Sequence, residues 1–165
     1  MIQRRAVLAA VFFLTAAWTG LASTPKNLST DGLRIEGVKT TAYSASVEDN
    51  GDNDGQNALG RPLKSGSVTS AAADWSRYPV GTRFRIVETG QEYIVDDYGS
   101  ALVGTGTIDL YKTSDAQVDR WGVRHVTIEI LEWGSPKRSL QILRERRGAR
   151  HIREMVKALQ AQNFA

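Results

Sequence analysis

Between Glu36 and Trp133 the chain is written in short β-prone runs cut by Gly and Pro, and this punctuation limits the fold more than any other feature. Val38–Tyr43 and Ser67–Ala71 are two such runs. Thr82–Val87 alternates with period two, as a half-buried strand does, and Thr89-Gly90 turns the chain into a hairpin partner, Gln91–Val95. Thr107–Tyr111 is another short strand, and His125–Leu131 closes the set with clean alternation. One helix interrupts them. Ser114 is placed to N-cap it, with Gln117 three residues on as the second half of a capping box. Asp115 suits the positive end of its dipole, Val118 and Trp121 share its core face, and Gly122 ends it. Six short strands and one short helix in about 100 residues predict a mainly β fold, a small closed six-stranded β-barrel.

The flanks are of different character. Residues 1–22 read as a signal peptide: Arg4 and Arg5 precede an uncharged apolar stretch, Ala6–Trp18, and Gly20-Leu21-Ala22 supplies small residues for cleavage. The apolar run is shorter than the roughly 20 residues a spanning helix needs. Export is expected, to the periplasm, the outer membrane or cell wall, or the medium. Residues 23–34 are a polar linker, 35–134 the barrel domain, and 135–165 a basic amphipathic helical tail. In that tail Ala149, Ile152, Val156 and Leu159 fall on one face, and Gly148 is placed to divide the helix.

Charge follows the same division. Lys137 to Lys157 holds eight basic residues against Glu145 and Glu154, a net of +6, and Arg4 and Arg5 add two; with a total of +3, the intervening body carries −5. The basic pI therefore belongs to the tail, and no nucleic-acid partner is expected. The tail's apolar face predicts docking on the barrel, and its basic face admits peripheral contact with an anionic membrane or wall polymer. With no cysteine, disulfides, thiolate nucleophiles and Cys-ligated metals are excluded. The run Asn50–Gly55 has the look of a calcium loop, but its twelfth position is Arg61 where a bidentate acid is required, so a mobile acidic loop is the expectation. His125 and His151 are far apart in sequence and read as surface or structural residues rather than ligands.

Three blocks carry a resemblance. Ser70-Ala71-Ala72-Ala73-Asp74 precedes Tyr78-Pro79-Val80-Gly81-Thr82; Val95-Asp96-Asp97-Tyr98-Gly99 runs on through Gly104; Thr107-Ile108-Asp109-Leu110-Tyr111 is followed by Trp121-Gly122. Over about residues 38–131 this order resembles the 3D domain, named for three aspartates, here Asp74, Asp97 and Asp109. That domain is found in membrane-bound lytic transglycosylase A and in small secreted wall-associated proteins. The chain departs from it in reading Asp97-Tyr98-Gly99-Ser100-Ala101-Leu102-Val103-Gly104 where the family commonly has Asp-Thr-Gly-Gly-Ala-Ile-Lys-Gly, and in one extra residue before Asp109. The large transglycosylase has a second domain walling its groove, for which this chain is expected to have no room.

The resemblance implies a double-psi β-barrel acting on peptidoglycan glycan strands with no metal or organic cofactor. In that chemistry a carboxylic acid protonates the glycosidic oxygen and the muramoyl 6-hydroxyl closes a 1,6-anhydro ring. It implies Asp109 as general acid and then base, Asp97 as the group that tunes it, and Asp74 as a supporting or folding residue. The residues speak to the same chemistry. Protonating a poor leaving group near neutral pH needs a carboxyl whose pKa is raised by burial or by a second carboxylate. Asp97 and Asp109 bracket a Gly-rich loop that can bring them together, where repulsion would raise one of them. Against this, Asp96-Asp97-Tyr98-Gly99 would pass as an ordinary turn. Asp109, between Ile108 and Leu110 and on the face opposite both, is harder to read as structural. Trp75, Tyr78 and Tyr98 neighbour the aspartates as candidate sugar-stacking rings, with Gly99 and Gly104 as loop positions against the substrate. Two other functions remain open: a non-catalytic peptidoglycan-binding module, and a hydrolase of another β-linked polysaccharide. A monomer is expected.

Overall fold

The structure, a computed structural model, describes residues 32–45 and 55–162. The expected signal peptide and most of the acidic loop at 46–54 lie outside the described residues. The six strands are β1 (Leu33–Tyr43), β2 (Val68–Ala72), β3 (Arg83–Ile86), β4 (Glu92–Asp97), β5 (Ile108–Tyr111) and β6 (Arg124–Glu132). They close into a barrel in the order β1-β5-β2-β4-β3-β6. β1 runs parallel to β5 and β2 parallel to β4, and the remaining neighbours are antiparallel. This mixed six-stranded closure fits a double-psi barrel. β1 begins at Leu33, so the last two residues of the expected linker already belong to the barrel.

Alternation decides what fills the interior. Phe84 and Ile86 from β3, Tyr93 and Val95 from β4, and Ile108 and Leu110 from β5 are all buried. Their in-between neighbours Arg83, Arg85 and Asp109 stay partly accessible. The β3–β4 hairpin turns at Gly90, whose φ of 71° is the left-handed region that glycine enters without penalty.

Three helices complete the molecule: α1 (Asp115–Trp121), α2 (Pro136–Arg144) and α3 (Arg150–Gln162). α1 spans the predicted residues, but the capping box forms differently. Ser114 makes no side-chain cap bond, and Gln117 Oε1 instead accepts from the amide and hydroxyl of Thr113. The basic tail is two helices, broken over 145–149 around Gly148. Ser135 caps α2 by accepting from the Arg138 amide, with Pro136 in the first turn, where its missing N–H costs nothing. α2 is pinned to the barrel by Ser139, whose buried hydroxyl accepts from the Val80 amide at 2.9 Å. The chain reaches α2 through Gly134, where a Cβ would collide with the carbonyls of Pro79 and Val80, so only glycine fits this close approach. α3 buries Ile152, Met155, Val156 and Leu159 in the same apolar cluster as Trp75 and Tyr78, which makes the hairpin an outer layer of the barrel core.

Candidate functional site

The register of the barrel assembles the site. Ala72 on β2 pairs with Asp97 on β4 at one side and with Asp109 on β5 at the other, and Asp109 pairs in turn with Thr41 on β1. Residues directly opposite in a ladder point to the same face. Thr41, Asp109, Ala72 and Asp97 thus form one row across four strands, on the outer face, because Ile108 and Leu110 either side of Asp109 fill the interior. Ala72 keeps the middle of the row low. Tyr43 and Tyr111, two residues further along β1 and β5, stand beside it with their rings 5.7 Å apart.

A β-bulge adjusts β4 at this point. Ala71 pairs with Val95 but Ala72 pairs with Asp97, which leaves Asp96 as the extra residue. Both carboxylates then find partners around the same row. Asp96 is buried and accepts from the Asn57 side chain and the Ser70 hydroxyl, each at 3.0 Å, with Lys64 at 3.8 Å; its second oxygen has no hydrogen-bond partner. Burial raises the Asp96 pKa above the ordinary carboxylate value. Asp97 accepts from the amides of Ala58 (3.0 Å) and Tyr98 (2.9 Å) on one oxygen and from the Tyr43 hydroxyl (3.3 Å) on the other. Burial pushes Asp97 up to about 6 in spite of these donors, which act to lower it, and the adjacent Asp96 adds to the rise. For Asp97 itself, desolvation by burial is the largest cause of the rise, ahead of any neighbouring charge.

Asp109 is half-buried, and one of its oxygens accepts from the Thr41 hydroxyl at 2.6 Å. Tyr43 stands near both aspartates. Its hydroxyl pKa is raised by burial first and then by the charges of Asp97, Asp96 and Asp109. Asp74 lies elsewhere, 5% exposed. It accepts from the amide and hydroxyl of Ser76 at 2.8 and 2.6 Å and from the Gly104 amide at 2.9 Å. It thereby clamps the 74–78 turn to the far end of the Asp97–Asp109 loop, and the Gly104 amide is committed to it.

Two of the expected stacking rings are core residues. Trp75 is 0% and Tyr78 1% exposed, so neither has a face to offer a sugar. Trp75 serves the site from beneath: its indole N–H donates to the Asp97 carbonyl at 2.8 Å. Tyr98 is the ring that stays partly accessible. It packs edge-on to Trp75 at 4.9 Å, stands 6.1 Å from His151 on α3, and its hydroxyl accepts from Arg146 at 3.3 Å. Gly99 opens the 3-10 turn Ser100–Leu102 that lies over the row. Trp121, expected in the core, packs at its edge: its indole N–H donates to the buried Thr40 hydroxyl at 3.2 Å, while its ring stays partly exposed with Lys112 and Arg124 against it. Among the described residues no group of three or more His, Asp or Glu side chains is arranged to hold a metal.

The pattern of strands gave no sign of Thr41, Tyr43, Asn57 and Ala58, which bind the aspartates from 39 to 68 positions away. Asp96-Asp97 did carry a signal: two successive carboxylates after alternating residues mark the place where a bulge breaks the period.

The barrel carries Asp97 and Asp109 in one row on its outer face, a small β domain built around aspartates. Residues 69–132 match the 3D domain family, so the chain carries a 3D domain there, with all three aspartates inside the matched span. 3D domains are found in proteins like membrane-bound lytic transglycosylase A and in cell-wall-associated proteins. β1, which supplies Thr41 and Tyr43, precedes the matched span yet closes the barrel. A search of curated proteins found no match to the chain.

Proposed function

We propose that this protein is an exported enzyme that cleaves peptidoglycan glycan strands by the lytic transglycosylase reaction. The observation that supports it most is the placing of Asp97 and Asp109 on one outer face either side of Ala72 in a 3D domain, with Tyr43 donating to Asp97 and Thr41 to Asp109. In this reading Asp109, its carboxyl oriented by Thr41, gives its proton to the glycosidic oxygen as the C1–O4 bond breaks. The muramoyl 6-hydroxyl then bonds to C1 and returns its proton to Asp109, so the products are a 1,6-anhydro end and a free 4-hydroxyl. Asp97, half-ionised near pH 6 and mostly ionised at neutral pH, sets the field in which Asp109 works. Tyr98 is the aromatic face left for a sugar ring. The tail's exposed arginines add a basic surface suited to an anionic envelope.

The test is mass spectrometry of wall sacculi incubated with the protein. The expected products are anhydro-muropeptides. Reducing-end fragments would replace the mechanism with hydrolysis. Sacculi that bind the protein and release nothing would leave a wall-binding module as the better account.

A further inference from the structure

At the end of the barrel, past Tyr111, a cleft of about 270 Å³ is lined by Lys112, Gln117, Arg120, Trp121 and Arg124. Its side chains are donors. Lys112 Nζ stands 4.6 Å from the Trp121 ring centre, and the Arg124 guanidinium carbon stands 4.4 Å from the same centre. Arg124 is held in place by donating to the carbonyls of Trp121 (2.9 Å) and Arg120 (2.8 Å), and so closes the C-terminal end of α1. Lys112 is held by donating to the Tyr93 hydroxyl at 3.0 Å. Gln117 has its amide oxygen occupied by Thr113, which leaves its NH2 as the available end.

Two cations fixed on one indole repel each other, and among the described residues neither they nor Arg120 form an ion pair with a carboxylate. The Lys112 ammonium accordingly has its pKa lowered, by burial and then by Arg124. The acids of α1, Asp115 and Asp119, do not line the cleft. An arrangement that spends binding energy on holding like charges together without a counter-charge is stabilised by an anion that accepts from both.

We propose that this cleft is an oxyanion-binding subsite, taking a carboxylate or phosphate group carried on the polymer that the barrel engages. It lies within reach of the aspartate row: Lys112 follows Asp109 by three residues, about 10 Å along the strand. Tyr111, on the same face as Asp109, lines a second cleft that shares Lys112 and Gln117 with the first. The source of the anion, a substituent of wall glycan, rests on the function proposed above; the existence of the subsite does not.

The experiment is a two-dimensional NMR titration of the 15N-labelled protein with inorganic phosphate and, separately, with N-acetyl-D-alanine. It follows the Trp121 indole N–H, assigned by its loss in Trp121→Phe. The expected result is a saturable shift with at least one probe, weakened about tenfold in Lys112→Met and several-fold in Arg120→Ala. Arg120 is exposed, so the second variant keeps the test sound if the first disturbs folding. The tighter probe identifies the source as phosphate-bearing polymer or peptide carboxylate. A shift that does not saturate, or that is unchanged in both variants, overturns the proposal and leaves surface charge alone. No step requires cleavage, so a protein inactive on sacculi that still binds the probe separates this inference from the enzymatic one.

Discussion

Asp97 keeps its proton up to about pH 6 because burial outweighs three hydrogen-bond donors, and this has a consequence for stability. Its folded pKa of about 6 lies above the 3.8 of an exposed aspartate. Between those values the unfolded chain has lost the proton and the folded one keeps it, so stability falls as pH rises through this window and then levels off. Asp97→Asn removes the ionisation while keeping an oxygen for the Ala58 and Tyr98 amides. We expect the variant to lose the pH dependence that Asp97 contributes between about 4 and 6 and to be more stable than wild type at pH 7 by on the order of 1–3 kcal/mol. Chemical denaturation across pH checks this; equal pH profiles for the two proteins would contradict it. Asp96 acts in the same direction, which is why the comparison rests on the difference between variants. Asp74 matters through its hydrogen bonds. Asp74→Ala removes the acceptor of three part-buried hydrogen bonds and is expected to cost about 1–2 kcal/mol in unfolding experiments.

At the scale of elements, the helical hairpin is an integral layer of the core. Its apolar spacing, the break at Gly148 and its docking on the barrel were legible, but how deeply it joins the core was not. α3 buries Met155 and Leu159 as completely as β5 buries Leu110. Met155→Ala is therefore expected to cost about 2–4 kcal/mol, comparable to Leu110→Ala, by denaturant unfolding. A cost near zero would show an appended tail rather than a layer of the core. The hairpin also touches the site. Arg146 donates to the Ala58 carbonyl at 2.6 Å, and the Ala58 amide donates to Asp97. Arg146→Ala should free the 58–59 turn and move the Asp97 titration. NMR measurement of the Asp97 carboxyl pKa in the two proteins checks it, and an unchanged value would contradict the link.

For the whole molecule, local patterning made the strands, α1 and the β3–β4 hairpin legible, because each rests on period-two alternation or on a cap within a few residues. Asp109 was legible for the same reason: a carboxylate between Ile108 and Leu110 announces an outward face. What lay beyond the sequence was which face of each ring the core would take. Trp75 and Tyr78 sit beside Asp74 as sugar platforms would, yet the hairpin and barrel enclose both, and only the three-dimensional register shows that Tyr43 and Thr41 complete the aspartate row. The central claim is that this row performs acid chemistry on wall glycan. Its most direct test is product formation by Asp109→Asn beside wild type, on sacculi, with folding verified by thermal denaturation. The account predicts anhydro-muropeptides from wild type, a loss of at least about a hundredfold in the variant, and an unfolding temperature within a few degrees of wild type. Equal product from both proteins, or none from wild type, would contradict it.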